Sequence, residues 1–322
     1  MYYKKLEELG AFEELKNSNH WLSPDKPNPW HLECKGNVFG HTEMVYKNAK
    51  KMYPDDKILH ISALLHDIGK PICRDIKDDK VRFFSHESMG VFIALEYLKK
   101  LDISKPDILR VLKLIQRHAD PYKFSGKKIK ALYEHDDFVD VMKIRKCDAL
   151  GRISNDPSIE DFSIPDLVPH NISSNDKPII TLLIGPPCSG KSTFSSNDTV
   201  LSRDECVMKL ATSDDYSKAW NEVNQKEVDE LFQSKKKALY DEGNNFTIDM
   251  TNMKIKSRKR FLQNKKFNYH AVVFLTSYTE LLKRNKERKN KCLQEYVIEN
   301  MCKTFQFPFY KEGFSKISYI IN

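Results

Sequence analysis

No stretch of this sequence approaches the roughly 20 consecutive apolar residues that cross a bilayer, so no membrane-spanning helix and no membrane partner are expected. The opening residues, Met1-Tyr2-Tyr3-Lys4-Lys5-Leu6-Glu7-Glu8, hold neither an apolar core nor a small-residue cleavage site, which argues against a secretory leader. Among the seven cysteines there is no Cys-x-x-Cys pair, and the number is odd. Both facts speak against a disulfide framework or a cysteine zinc knot, and a reducing compartment, the cytoplasm, is expected. Internal repeats are lacking too.

What is there describes a globular chain: 40% of the 322 residues are apolar and 30% charged, enough for two domains with their own cores. The net charge of +8 is unevenly placed. Residues 1–176 hold 28 Lys+Arg against 28 Asp+Glu, whereas residues 177–322 hold 25 against 17, so the whole surplus (25 − 17 = +8) lies in the second half. Such a half-molecule suits phosphate ligands, although a solvated lysine-rich surface reads the same way. Histidine is skewed oppositely: eight of the ten precede Asp148.

Ile61, Leu64, Leu65 and Ile68 form a helical stripe, ended by Gly69 and Pro71. Ile108, Val111, Leu112 and Ile115 form another, closed by Asp120-Pro121, and Phe138, Val141 and Ile144 a third. The first domain, residues 1–172 with its linker from 151, is therefore expected to be an all-α bundle. Turn formers without periodicity mark 151–177 as a linker. In the second domain, 177–322, apolar strands at Ile179–Ile184, Phe246–Asp249, Ala271–Thr276 and Ile317–Ile321 alternate with helices at Glu222–Tyr240, Lys254–Gln263 and Glu280–Lys291. That alternation predicts a parallel sheet covered on both faces, giving an α plus α/β two-domain chain.

Gly185-Pro186-Pro187-Cys188-Ser189-Gly190-Lys191-Ser192-Thr193 fits G-x-x-x-x-G-K-[ST] and follows a strand, the setting a P-loop requires. Its glycines let backbone N–H groups turn around the phosphates of ATP, with a helix expected next to add its N-terminal charge. Lys191 would reach the β- and γ-phosphates, and the Ser192 hydroxyl would bind Mg²⁺. Asp204 follows a second strand at Val200-Leu201 and can act as a general base or cap the next helix. Arg284 and Arg288, a turn apart on one helix, suit a lid over the transferred phosphoryl; with Lys283, Lys286 and Lys289 beside them, a solvated face is the alternative.

Together the P-loop, Ser202-Arg203-Asp204, Asp249-Met250-Thr251-Asn252 with Arg258, and the Arg284/Arg288 pair resemble the 5′-hydroxyl polynucleotide kinases of end-healing systems, over residues 178 to about 310. The resemblance implies that Asp204 activates the 5′-OH and that Arg284 and Arg288 contact ATP. Where that family carries an arginine for the acceptor phosphate, this chain has Val207, so either Lys209 or Arg203 substitutes or the acceptor is gripped differently.

His41, His66, Asp67 and Asp148 offer imidazoles and carboxylates suited to a divalent transition metal such as Mn, Co, Ni or Zn. On one helix His66 and Asp67 would point about 100° apart, so a shared ion must lie between that helix and its neighbours. Asp148 shares a helical face with Val141 and Ile144, and a buried carboxylate needs a partner. Leu64-Leu65-His66-Asp67-Ile68-Gly69-Lys70, with the segments around His41 and Asp148, resembles the HD-type metal-dependent phosphohydrolases. The resemblance implies that Asp67 is essential to catalysis and that His86 and His118 are further ligands; satisfied core histidines are the alternative for those two. His31 and Glu33 are outside candidates for lining the site, and His20, His60 and His135 read as surface or packing residues. The local segments are similar to HD domains with 2′,3′-cyclic phosphodiesterase and phosphatase activity.

An HD domain followed by such a kinase resembles the bifunctional end-healing arrangement called HD-Pnk. It implies RNA or DNA ends carrying a 5′-OH or a 2′,3′-phosphate as substrates, ATP as donor, and a ligase acting downstream. Two other readings stay open: a nucleotide phosphohydrolase fused to a nucleoside-type kinase, and an ATP-binding switch with an HD signalling module.

Overall fold

The computed structural model describes residues 1–120, 135–152, 176–194, 199–289 and 291–322. The chain divides into two compact units, Met1–Pro169 and His170–Asn322. The expected linker over 151–177 falls almost wholly outside the described residues, as does the side chain of His135. No helix among the described residues is long and apolar enough to cross a membrane.

The first unit contains α1 (Tyr2–Glu8), α2 (Glu13–Lys16), α3 (Val38–Met52), α4 (Lys57–Leu65) and α5 (Lys70–Cys73), then α6 (His86–Leu98), α7 (Lys105–Arg117) and α8 (His135–Leu150). The helix starts follow ordinary capping chemistry: Asn37, Asp56 and Ser104 each accept a backbone N–H from the first turn of α3, α4 and α7. Val45, Leu64, Phe92, Leu112, Ile115, Val141 and Ile144 are all essentially inaccessible and form the core. Arg110 of α7 donates to both carboxylate oxygens of Asp140 on α8 at 2.5 and 2.8 Å, and to Asp56 at 2.9 Å, tying three helices at one end.

Two details depart from the sequence expectation. A two-stranded hairpin, β1 (Asp75–Lys77) with β2 (Lys80–Arg82), interrupts the helical bundle. It turns through Asp78 and Asp79, both at positive φ (52° and 55°), the shape of a type I′ turn, but without the glycine that would have signalled it. The stripe through Ile68 is also not one helix. α4 stops at Leu65, His66 caps it, and Asp67 enters a tight turn closed by Ile68 N–H to Leu65 O (3.1 Å) and Lys70 N–H to Asp67 O (2.9 Å).

The second unit is a five-stranded, wholly parallel sheet of β3 (Ile179–Ile184), β4 (Thr199–Ser202), β5 (Phe246–Asp249), β6 (Asn268–Leu275) and β7 (Lys316–Ile321), ordered β4-β5-β3-β6-β7. Its helices are α9 (Arg203–Leu210), α10 (Tyr216–Glu222), α11 (Gln225–Glu242), α12 (Ile255–Lys259), α13 (Tyr278–Lys286) and α14 (Glu295–Lys303). The central strand β3 buries Ile180, Leu182, Leu183 and Ile184, with Ile179 and Thr181 half-buried, as its largely apolar run requires. The helix expected over Glu222–Tyr240 is α11, its start set by Asn224 accepting from Lys226 N–H, while the short α10 before it was not expected. α12 covers half its expected length, and α13 ends at Lys286. Within the described residues, only a 3₁₀ turn at Lys191–Thr193 follows the P-loop, where a helix was expected.

Candidate functional site

Two groups of donors meet inside the first unit: His41, His66 and Asp148, and beside them Asp67, His86 and His118. His41 comes from the second turn of α3, His66 and Asp67 from the end of α4, His86 from the start of α6, His118 from the end of α7 and Asp148 from the last turn of α8. Asp67 stands between the groups, its Oδ2 3.2 Å from His66 Nε2 and its Oδ1 3.3 Å from His86 Nε2 and 3.9 Å from His118 Nε2. Gly69 makes this approach possible, since a Cβ there would stand 2.1 Å from the carbonyl oxygen of His86. The tight turn, not a helix face, brings His66 and Asp67 together.

The hydrogen bonds fix what each imidazole presents. Nδ1 faces a backbone carbonyl in all four: Gly151 O for His41 (3.0 Å), Ala63 O for His66 (2.8 Å), Phe83 O for His86 (2.7 Å) and Ile115 O for His118 (2.7 Å). A carbonyl only accepts, so Nδ1 carries the proton and the Nε2 lone pair points inward. Nε2 of His66 and of His86 is buried without a hydrogen-bond partner among the described residues. Nε2 of His41 meets Asp148 Oδ1 at 2.9 Å, so a lone pair faces a carboxylate. Buried acceptors turned on one another call for a cation between them, and this donor set suits a divalent transition metal.

The electrostatics differ within the cluster: at His66 burial lowers the pKa, but the Asp67 and Asp148 carboxylates outweigh it and raise the value, a positive charge that a bound cation would replace. Burial lowers His41 below the ordinary imidazole value and takes His118 down to about 3, keeping both neutral. Burial acts to raise Asp67, but His66 and Lys70 outweigh it and hold the group well below the usual carboxylate range. Lys70 Nζ donates to Asp67 Oδ2 at 2.6 Å, and Arg152 Nη2 to Asp148 Oδ2 at 2.8 Å.

His20 was expected to be a surface or packing residue. It is buried, stacked on His31 at 3.6 Å between ring centroids, and His31 lies 5.0 Å from His41. His20 Nε2 and His31 Nδ1 have no hydrogen-bond partner among the described residues. The pair therefore lines the histidine–aspartate cluster, whereas Glu33 is exposed and His60 bonds Tyr53 O at 2.8 Å. Lys70, three residues after Asp67, and Arg152, four after Asp148, are missed neighbours that local spacing could have revealed.

In the second unit the P-loop leaves the end of β3. Gly190 (φ 95°) and Cys188 (φ 67°) both take left-handed backbone, which glycine accepts freely and cysteine does not. Lys191 Nζ donates to Gly185 O (2.8 Å) and Pro186 O (2.7 Å), and burial lowers its pKa to about 8. A cavity of about 570 Å³ is lined by Cys188, Gly190, Ser192, Thr193, Arg284 and Arg288 among others, a volume suited to a nucleotide. Arg284 lies on α13 and reaches Cys188 O at 3.4 Å, while Arg288 stands past the helix end. The two arginines share the cavity but not, as expected, one helical face.

Ser202, not Asp204, caps α9, with its Oγ accepting from Glu205 N–H at 3.4 Å. The Asp204 carboxylate accepts instead from the Tyr216 hydroxyl at 2.6 Å and from Lys291 Nζ. Burial would raise its pKa, but these hydrogen bonds prevail and lower it. Asp249 sits opposite Ser202 on the neighbouring strand; burial raises it, Lys191 opposes that and Asp204 adds to it, for a net rise. Val207 is fully buried and Lys209 exposed, while Arg203 is held by Asp229 (3.1 Å) and Gln225 (2.9 Å). Arg258 is a framework residue: wholly buried, it pairs with both oxygens of Glu312 at 2.7 and 2.8 Å and donates to Asn252 O and Gln306 O.

Residues 38–153 match the family model described as HD domain, and residues 180–308 match one described as AAA domain. No curated protein matches the chain. The first span contains all six donors of the cluster, and the second runs from the P-loop past Arg288. The chain joins a helical HD-type domain to a kinase-like P-loop α/β domain.

Proposed function

We propose that this protein is a bifunctional enzyme of nucleic-acid end healing: the second domain phosphorylates 5′-OH ends with ATP and Mg²⁺, and the first removes 2′,3′-cyclic, 2′- or 3′-phosphates. The observation that carries it is the pairing of opposite phosphate chemistries in one chain: a cluster of inward-facing imidazoles and carboxylates, and a P-loop cavity whose lysine acts electrostatically on Asp204, an aspartate that caps no helix.

In the kinase reading, Gly185 to Thr193 cradle the phosphates, with Lys191 on the β/γ oxygens and the Ser192 hydroxyl on Mg²⁺. Asp204 is ionised and accepts the proton of the attacking hydroxyl. Arg284 and Arg288 face the developing charge on the phosphoryl group. In the hydrolase, His41, His66, Asp67, His86, His118 and Asp148 would hold Mn, Co, Ni or Zn. A divalent ion there supplies a more acidic water and Lewis-acid stabilisation of phosphate oxygens. The carbonyl tethers on the four Nδ1 atoms keep each ring in the ligating tautomer, and Lys70 and Arg152 hold the two carboxylates in place.

Incubating the purified protein with ATP, Mg²⁺, Mn²⁺ and an oligonucleotide bearing 5′-OH and 2′,3′-cyclic phosphate ends tests both halves. Gain of a 5′-phosphate and loss of the cyclic phosphate are expected. Phosphorylation of free nucleosides in preference to the oligonucleotide would move the kinase to the small-molecule class, and ATP turnover with no phosphorylated acceptor to a switch.

A further inference from the structure

Asp204 does not stand alone in the first turn of α9. The Tyr216 ring that bonds it carries Lys291 Nζ 3.8 Å from its centroid, and one turn further along α10 lies Trp220, its ring 6.1 Å from that of Tyr216. Trp220 is 42% exposed, so its ring is open to solvent. One face of its indole is braced by Arg203, whose guanidinium carbon is 5.0 Å from the ring centroid and is itself pinned by Asp229 and Gln225. An aromatic track flanked by fixed cations thus leads away from the aspartate, on the half of the chain that holds the entire positive surplus.

We infer that the Tyr216–Trp220 face is the acceptor platform: a single-stranded polynucleotide lays successive bases along it, with phosphates beside Lys291 and Arg203 and the 5′-OH at Asp204. The inference rests on the kinase reading above and narrows it to unpaired strands. Base stacking on aromatic side chains tolerates any sequence, because every base has a π-face, and neighbouring cations track the backbone. It also supplies a grip on the acceptor that Val207, buried in the core, cannot. A free nucleoside ends at Asp204 and Tyr216 and makes no use of Trp220, so this residue separates a polymer acceptor from a small one.

Trp220 is the only tryptophan of the second unit, the others being Trp21 and Trp30, which gives a readout independent of catalysis. A 5′-OH oligonucleotide added without ATP should quench the fluorescence of the two-domain chain, and most of that quench should vanish in Trp220→Phe. Blunt duplex should quench far less. In steady-state phosphorylation, Trp220→Ala should raise KM for the oligonucleotide roughly 5- to 100-fold, more than it lowers kcat. Trp220→Phe, which keeps a stacking ring, should recover most of the loss. An unchanged quench in Trp220→Phe, or an unchanged KM in Trp220→Ala while the wild type phosphorylates strands normally, overturns the platform. A wild type that phosphorylates no strand at all overturns the kinase reading instead, and the quench then still decides whether strands bind here.

Discussion

With Ser202 holding the end of α9, replacing Asp204 by Asn removes a proton acceptor and costs the fold little. The ion pair with Lys291 is half exposed, and pairs of that kind contribute roughly 0–1 kcal/mol. Asp204→Asn should therefore melt near the wild type yet phosphorylate a 5′-OH strand at least about 100-fold more slowly in single turnover. Normal turnover would return Asp204 to a structural role. Sequence alone left base and cap undecided, because the deciding contacts come from Tyr216 and, 87 residues away, Lys291. In the histidine–aspartate cluster, the His66-Asp67 dyad was legible as a local motif. The His20–His31 stack was not, since only folding of the 18–37 segment onto α3 brings those rings to His41.

Among the elements, the turn after α4 carries the closest packing. Gly69→Ala forces a methyl group into the His86 carbonyl and must push the start of α6 outward, taking His86 from Asp67. Metal affinity, followed by Zn²⁺ or Mn²⁺ titration, should drop about 10–100-fold, as when ligand supports are lost, while the kinase is untouched. The Arg258–Glu312 pair is the counterpart in the second unit. Arg258→Ala strands a fully buried carboxylate and should lower the stability of that unit by about 3–5 kcal/mol in denaturant melts. Arg258 was legible as part of a motif but not as framework, because its partner lies 54 residues on. The alternation of strands and helices was readable from apolar runs, but the order of the strands in the sheet was not. Helix ends were not, because caps such as Asn224 and the turn at Asp67 act over single residues against the hydrophobic period.

For the whole chain, the two compact units predict separable losses. Lys191→Ala should abolish phosphorylation and spare the phosphoesterase, and Asp67→Ala should do the reverse. Loss of both activities in either folded variant would show that the sites are not independent. The same logic applies to stability. A ligand that binds only one folded unit stabilises that unit by RT ln(1 + [L]/Kd), about 2.7 kcal/mol at 100 times Kd. Calorimetric melts should then show Mn²⁺ raising one transition and ATP the other. Chelation followed by Mg²⁺ alone should restore the kinase preferentially.

The Lys191 ammonium, turned back onto the carbonyls of Gly185 and Pro186, also makes nucleotide capture a proton-coupled event. Its pKa falls from 10.5 to about 8 in the ligand-free fold, so near pH 8 about half the molecules hold a neutral amine. A triphosphate beside it favours the charged form and raises the pKa again. Binding at pH 8 should therefore withdraw about half a proton from solution, and binding near pH 6.5 almost none. The observed heat of ATP binding should vary with the ionisation enthalpy of the buffer at the higher pH only, and affinity should weaken as the pH climbs past about 8. A buffer-independent heat at pH 8 would mean that the amine is fully charged before the nucleotide arrives.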